Sequence, residues 1–156
     1  MKKILPITMI SLLLDQIVKI LIINTMNLFD SINIIEDFFN ITYVRNTGAA
    51  WSILSGSTLL LIFISLIALV VIYLYFIKNK NLSRLENISY GLLIGGILGN
   101  LFDRIIHGYV IDYLDFKIIN YDFPIFNIAD ISIVISIILI GITLIVGEIN
   151  ERDKNR

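Results

Sequence analysis

Cysteine is absent from this sequence of 156 residues, and histidine occurs once, at His107. The absence of cysteine excludes disulfide bonds and thiol nucleophiles. A single histidine excludes a multi-histidine metal site within one chain, and a lone histidine beside a loop glycine is most often solvated. The sequence also contains no glycine-rich phosphate loop and no basic patch. We therefore predict no metal, no cofactor and no nucleic-acid partner.

Charge is scarce as well, since 16% of the residues are charged and 57% are hydrophobic, with a mean hydropathy of +0.88. This composition lies outside the range of ordinary soluble domains and indicates a membrane protein. About 20 apolar residues in a helix cross the hydrocarbon core of a bilayer. We predict an all-α membrane protein, a single domain over residues 1–156, with four transmembrane helices. The predicted spans are residues 4–23, 59–77, 88–106 and 125–147.

The basic residues predict the orientation of these spans. Eight of the twelve lysines and arginines lie in the terminal segments and in the connection between the second and third spans. Because segments rich in lysine and arginine stay in the cytoplasm, both termini are predicted to be cytoplasmic. The basic start MKK is typical of a signal peptide, but the apolar run continues past Asp15 to Ile23 without a cleavage site. This favours a retained first span.

Two longer segments, residues 27–57 and 107–124, then lie on the outer side of the membrane. β-Branched and aromatic residues alternate in part around residues 41–44, which predicts a few short strands on the membrane surface. Aromatic rings with polar edges suit the headgroup region. The candidates for this position are Phe38, Phe39, Tyr43 and Trp51.

Carboxylates in or beside the predicted spans are the most informative residues. A charged side chain at the centre of a membrane helix costs about 2.5–3.5 kcal/mol, so such residues are interpreted first as functional. The candidates are Asp15, Asp103, Asp112, Asp115, Asp122 and Asp130.

Some of these aspartates also have a purely structural interpretation. Asp15 and Lys19 are four residues apart on one helix face and can neutralise each other. Asn100 and Asp103 are three residues apart, so that face of the third span can form a polar network that ties helices together. The sequence alone leaves these interpretations open.

Asp130 has the sharpest structural alternative. It comes immediately before residues 131–146, a stretch without any charge. Asn127 can cap the fourth helix, with Asp130 at the third helical position, in a variant of the capping box that the positive helix end also favours. Capping and catalysis are both compatible with this pattern.

Five motifs together resemble one family. They are LDQIVK, RNTGAAWSIL, GGILGNLFDR, YVIDYLDF and FPIFNIAD. In this order and spacing they resemble the prolipoprotein signal peptidases, also called lipoprotein signal peptidase or signal peptidase II. The resemblance runs from Asp15 to the end of the fourth span. It implies that the outer segment forms a small extracytoplasmic β-cradle on the membrane surface.

The resemblance also implies roles for individual residues. Asp112 and Asp130 match the catalytic pair of aspartates, although from the residues alone Asp115 can replace Asp112. Asp112 is flanked by Ile111 and Tyr113, where valine and phenylalanine are commoner in the family. Positions that shape the site and hold substrate backbone are matched by Asn46, Gly48, Asn100, Arg104 and Asn127. Structurally supporting positions are matched by Asp15 and Asp103.

The implied activity is an aspartic endopeptidase of the bacterial cytoplasmic membrane, active at its outer face. It removes signal peptides from diacylglyceryl-modified prolipoproteins on the amino side of the lipidated cysteine. The resemblance further implies sensitivity to globomycin. We predict a monomer whose partners are these substrates and membrane lipids.

Two alternatives from other classes are an ion or proton carrier and a non-enzymatic membrane adaptor with structural aspartates. A carrier would need ionisable groups through the membrane. The second predicted span, LLLIFISLIALVVIYLYFI, contains none, and the carboxylates gather in the outer half. This argues against the carrier.

Overall fold

Four long helices and a small antiparallel sheet make up the computed structural model, which describes residues 3–49, 53–78, 82–118 and 121–154. Trp51 therefore lies outside the described residues. The helices are α1 (Ile4–Thr25), α2 (Thr58–Lys78), α3 (Arg84–His107) and α4 (Ile128–Lys154). The strands are β1 (Ser31–Ile35), β2 (Phe39–Asn46), β3 (Val110–Ile118) and β4 (Tyr121–Asp122).

Three of the helices are long and apolar enough to cross a membrane, within the part of the chain that the structure describes. The three are α1, α2 and α4, with the apolar segments Ile4–Thr25, Thr58–Phe76 and Ile128–Val146. The third predicted span is not confirmed by this criterion. Its helix, α3, carries Arg84 and Glu86 at one end, Asp103 and Arg104 at the other, and several glycines between them.

Glycines let α3 pack closely against two other helices. A Cβ atom added to Gly95 would lie 2.6 Å from the Cβ of Ser11 on α1, and one added to Gly96 would lie 2.5 Å from the carbonyl oxygen of Ala129 on α4. Close backbone approach of this kind is how membrane helices associate. As a result, α3 lies between α1 and α4, and its buried face is made mostly of glycine and polar residues.

The third strand of the sheet, β3, follows α3 after a short turn. Gly108 has a φ of +80°, a conformation that glycine adopts without strain, and this turn leads from the helix into β3. The strands are antiparallel in the order β1-β2-β3-β4. The prediction of short strands around residues 41–44 is confirmed, whereas β3 was not predicted, because YVIDYLDF lacks a clean alternation.

The sheet packs on the end of α1 through a small apolar core. This core contains Ile22 and Met26 from α1, Tyr43 from β2, and Ile111 and Tyr113 from β3. The prediction that Tyr43 lies among lipid headgroups is therefore wrong, since only 4% of it is exposed. An aromatic residue in a surface segment can serve either position, and the pairing of β2 with β3 decides in favour of burial.

The start of α4 differs from the prediction by three residues. The predicted span begins at residue 125, whereas the helix begins at Ile128. Phe126, just before the helix, is held by the sheet instead. The Leu114 amide donates to the carbonyl oxygen of Phe126 at 2.8 Å, and the Phe126 amide donates to that of Leu114 at 3.1 Å. Asp130 consequently lies in the first turn of α4.

Candidate active site

Asn127 and Asp130 form a reciprocal capping box at the start of α4. The Asp130 amide donates to Oδ1 of Asn127 at 3.0 Å, and the Asn127 amide donates to Oδ2 of Asp130 at 3.2 Å. These contacts satisfy amides that a helix start leaves without partners, and they place a carboxylate at the positive end of the helix. The structural interpretation of this pair is confirmed, and one oxygen of Asp130 remains available for other contacts.

Asp112 on β3 reaches the same place from the sheet. Its Oδ1 accepts a hydrogen bond from Nδ2 of Asn127 at 2.6 Å, and its Oδ2 accepts one from Nδ2 of Asn46 on β2 at 2.8 Å. Burial raises the pKa of Asp112 to about 7, and the nearby charge of Asp130 contributes to this rise. A buried carboxyl whose pKa lies close to neutral can hold or release a proton under physiological conditions.

Asn100 on α3 contacts Asp130 directly and is linked to Asp112 through Asn127. Its Nδ2 donates to Oδ1 of Asp130 at 2.7 Å, while its Oδ1 accepts from Nδ2 of Asn127 at 3.1 Å. The side chains of Asn100, Asn127 and Asp112 are each less than 10% exposed. Asn127 thus bonds both aspartates, which are 18 positions apart in the sequence, through its side chain to Asp112 and through its backbone amide to Asp130.

A cavity of about 550 Å³ opens beside this cluster. Its polar wall is formed by Asn46, Asn100, Arg104, Asp112 and Asp130. The remaining wall is largely apolar and includes Ile97, Val110, Pro124, Phe126 and Ile133. A mostly apolar cavity with a few convergent polar groups is typical of a binding site for a ligand with one reactive polar point.

Arg104 and Gly48 connect the cavity to the loop after β2. The Arg104 Nη2 donates to the carbonyl oxygen of Gly48 at 3.0 Å, and the Gly48 amide donates to Oδ1 of Asn46 at 2.9 Å. The Nε of Arg104 is buried and has no hydrogen-bond partner among the described residues. A buried donor without a partner is costly, so this atom is suited to a ligand in the cavity.

Asp15 and Asp103 lie behind the cavity and hold its elements together. Oδ1 of Asp15 accepts from the Ala129 amide at 2.9 Å, which fixes the start of α4, and Oδ2 of Asp103 accepts from the Ile111 amide at 3.0 Å, which fixes β3. Lys19 lies 2.9 Å from a carboxylate oxygen of each aspartate. The predicted neutralisation of Asp15 by Lys19 and the predicted polar network between helices are both present.

Asp115 does not line this cavity. Its Oδ2 accepts a hydrogen bond from Oγ1 of Thr42 at 2.7 Å, so its carboxylate is engaged within the sheet. His107 is exposed and stacks on Tyr109 with a ring-centroid distance of 5.7 Å. Within the described ranges, no group of three or more histidine, cysteine, aspartate or glutamate side chains could hold a metal ion.

Sequence reasoning missed two polar residues of this cluster. Gln16 donates to Oδ1 of Asp103 at 3.1 Å, and Lys19 donates to Oδ1 of Asn100 at 3.0 Å. A signal was present, because a lysine inside a predicted span is itself unusual. Pairing it only with Asp15, on the same helix, concealed its contacts with α3.

Comparisons with known proteins agree with this geometry. The family model of signal peptidase (SPase) II matches residues 7–146. A lipoprotein signal peptidase from Staphylococcus aureus is 45% identical over 90% of this chain and 86% of its own length, and that of strain JH9 is 44% identical over the same shares.

Two solved structures of bacterial membrane enzymes, both obtained by the in meso method, are also similar. The one at 2.3 Å has a TM-score of 0.89 and 41% identity, and covers 96% of this chain and 92% of its own. The one at 1.9 Å has a TM-score of 0.83 and 42% identity, and covers 92% and 93%. By its sequence and its fold, the chain belongs to the signal peptidase II family.

Proposed function

We propose that this peptidase removes signal peptides from prolipoproteins by general acid–base hydrolysis, with Asp112 and Asp130 as the catalytic pair. The observation that carries the proposal is the arrangement of these two carboxylates, which both accept hydrogen bonds from Asn127, Asp112 from its side chain and Asp130 from its backbone amide, and which line one largely apolar cavity. Membership of the signal peptidase II family supports the reaction itself.

Neighbouring carboxylates divide the two chemical roles between them. Two such groups close together cannot both ionise easily, so one keeps a proton near neutral pH. The pKa of about 7 suits Asp112 to hold that proton. Asp130, at the positive end of α4 and beside the Asn100 amide, is the partner that stays ionised. A neutron structure that located the proton on Asp130 would reject this division.

The reaction then needs neither a metal nor a covalent intermediate. Asp130 takes a proton from a water molecule, whose oxygen bonds to the carbonyl carbon of the scissile peptide. Asp112 donates its proton to the carbonyl oxygen as charge develops there. The carbon–nitrogen bond then breaks: Asp130 passes the proton that the water lost to the leaving amine, and Asp112 takes back a proton from the diol as the carboxyl group forms. Arg104 and Asn46 hold the substrate backbone, a role that the unpartnered Nε of Arg104 supports.

The substrate is a prolipoprotein whose cysteine carries a diacylglyceryl group. Buried acyl chains contribute about 0.8 kcal/mol per CH₂ group and hold that cysteine at the membrane interface. The scissile bond, on the amino side of the cysteine, is thereby held beside the start of α4. Such anchoring gives proximity without a large protein–protein surface. The apolar wall of the cavity suits the same ligand, and globomycin would compete for it.

All four helices cross the membrane in this proposal, and both termini face the cytoplasm. The apolar helices α1 and α4 pack against the glycines and polar residues of α3, which therefore contact protein instead of lipid. The sheet and the catalytic pair then lie at the outer face of a bacterial cytoplasmic membrane. The chain acts as one domain and as a monomer among membrane lipids.

Replacement of each aspartate by asparagine tests the proposal. Asp112→Asn and Asp130→Asn should each abolish cleavage of a lipidated precursor in detergent, while the purified proteins keep their thermal unfolding transition. Asp115→Asn is the matched control, because its carboxylate contacts Thr42 outside the cavity, and it should cleave normally. Full turnover by Asp112→Asn would remove that residue from catalysis. Loss of folding in both variants would favour a structural adaptor instead.

A further inference from the structure

Lys19 is the most deeply buried cation in the described part of the chain. It lies on α1, only 1% of it is exposed, and its ammonium group contacts three side chains from two helices. The distances from Nζ are 2.9 Å to Oδ2 of Asp15, 2.9 Å to Oδ2 of Asp103 and 3.0 Å to Oδ1 of Asn100. A buried charge needs partners of this quality.

Charge neutralisation explains two of these contacts but not the third. An ammonium group has donors and no acceptor, so the atom of Asn100 that faces Lys19 must be the amide oxygen. The same oxygen also accepts from Nδ2 of Asn127. With its oxygen held on that side, Asn100 must present Nδ2 on the other, where it donates to Oδ1 of Asp130 at 2.7 Å.

We propose that Lys19 is a positioning residue for the reaction, which fixes the amide of Asn100 so that Asn100 holds the carboxylate of Asp130. This inference rests on the catalytic pair proposed above. Lys19 does not line the cavity, so it acts through Asn100 and does not touch the substrate. If the Asn100 amide turned over, its oxygen would face the carboxylate of Asp130 and repel it.

The charges around Lys19 come from every element packed there. They are Asp15 on α1, Asp103 and Arg104 on α3, Asp112 on β3 and Asp130 on α4. Burial and Asp130 raise the pKa of Asp112, whereas the charge of Lys19 acts against this rise. Loss of Lys19 should therefore shift the pH dependence of the reaction, in addition to the loss of kcat that follows from the misplaced Asn100 amide.

Lys19→Met is the direct test, since methionine keeps an unbranched apolar chain without the charge or the donors. We expect kcat for a lipidated precursor to fall about 100-fold, the scale expected when reacting groups are displaced by about 1 Å, with KM nearly unchanged. The acidic limb of the pH–rate profile should move to higher pH, because the ionised forms of the catalytic pair lose a favourable charge.

A double-mutant cycle with Asn100→Ala separates positioning from general stabilisation. If Lys19 acts through Asn100, then Lys19→Met lowers kcat in the wild-type background but changes it by less than about threefold once Asn100 is alanine. Losses of kcat that multiply in the double variant would overturn the proposal. Ser11→Ala is the matched control on α1, since it removes a buried 3.0 Å bond to Ser132 outside the cluster. It should leave kcat unchanged.

Thermal unfolding in detergent shows whether each variant is folded. Should Lys19→Met not fold, Lys19→Gln takes its place in the cycle, and failure of both to fold would overturn the proposal in favour of a structural role. An unchanged pH–rate profile in a folded variant would overturn it as well. Asp112→Asn is assayed in parallel: turnover by that variant would reject the catalytic pair, whereas multiplicative losses would reject only the role of Lys19.

Discussion

Two helices of this protein begin with the same hydrogen-bonded motif. At the start of α3, the Ser83 amide donates to Oε2 of Glu86 at 2.8 Å, and the Glu86 amide donates to Oγ of Ser83 at 3.1 Å. At the start of α4, Asn127 and Asp130 exchange the equivalent bonds at 3.2 and 3.0 Å. In local backbone geometry the two helix starts are nearly alike.

The two helix starts differ in their burial and in their spare atoms, by which we mean the side-chain donors and acceptors that the cap itself does not use. Ser83 and Glu86 are bonded at an exposed helix end, and the cap uses the single side-chain oxygen of Ser83. Asn127 is fully buried, and its Nδ2 remains free of the cap to reach Asp112 and Asn100. A cap built from an amide and a short carboxylate thus fixes the helix start and leaves donor and acceptor atoms for a site. Capping and catalysis are therefore not alternatives at Asp130.

The largest expected effect comes from removing only the spare atoms of the α4 cap. In Asn127→Ser the hydroxyl can still accept from the Asp130 amide, but the donor to Asp112 and Asn100 is lost. We expect cleavage of a lipidated precursor to fall about 100-fold or more, because the carboxylates lose their common support. The helix content measured by circular dichroism should not change.

The reverse exchange at α3 is the control for this prediction. Ser83→Asn keeps a good capping residue at an exposed position and should leave both the cleavage rate and the unfolding temperature unchanged. Normal cleavage by Asn127→Ser would mean that the cap at α4 is only a cap, like its counterpart at α3.

The two helices also differ in how closely they are packed along their length. Gly95 of α3 faces Ser11 and the carbonyl oxygen of Thr8 on α1, whereas a Cβ atom at Gly141 of α4 would meet no atom within 4 Å. Gly95→Val should lower the free energy of unfolding by about 1–3 kcal/mol or more through overpacking. Gly141→Val should change it far less. Equal unfolding temperatures in detergent for the two variants would show that α3 is not tightly packed.

The third prediction concerns pH and the acid beside the α4 cap. The pKa of Asp112 rises from 3.8 to about 7 on folding, so the folded state binds the proton more tightly than the unfolded state. Stability from this group is complete below pH 3.8 and is lost as the pH rises through about 7. The asparagine in Asp112→Asn does not titrate, so this variant does not lose stability from this position as the pH rises.

The unfolding temperature of Asp112→Asn, relative to that of the unmodified protein, should therefore be higher at pH 8 than at pH 5. The difference should be about 2–4 °C for each kcal/mol of stability that the unmodified protein loses between these pH values. Ser83→Ala, at the exposed cap, should show the same difference from the unmodified protein at both pH values. A difference for Asp112→Asn that does not vary with pH would contradict the raised pKa.

Several residues of the candidate site could be picked out from the sequence, but their arrangement in space could not. Charge is so costly in apolar surroundings that Asp15, Asp103 and Asp130 stand out by their positions in or beside apolar stretches of the sequence. The capping pattern at Asn127 is local, and it too could be recognised. The pairing of Asp112 with Asp130 could not be derived, because Asp115 is equally acidic and only the register of β3 turns Asp112 toward the cavity.

Contacts between helices were also hidden from the sequence. Lys19 and Asp15 are four residues apart, so a local explanation was available and sufficed. The contacts of Lys19 with Asp103 and Asn100 depend on how closely α1 approaches α3, which the glycines of α3 permit. Likewise, α3 is long enough for a span but is less apolar than the other three helices, because it carries polar residues that are buried against neighbours the sequence does not place.

The smallest effect is expected from removing the cap at the exposed start of α3. Ser83→Ala removes the oxygen that accepts from the Glu86 amide, and the loss of an N-cap residue costs about 0.5–2 kcal/mol. The cap lies at the opposite end of α3 from Asn100 and Arg104, so kcat for a lipidated precursor should not change. Thermal unfolding and a cleavage assay on the same preparation measure both quantities. A fall in kcat comparable to that of Asn127→Ser would mean that helix stability itself limits catalysis, and that the spare atoms of Asn127 are not what distinguishes the two caps.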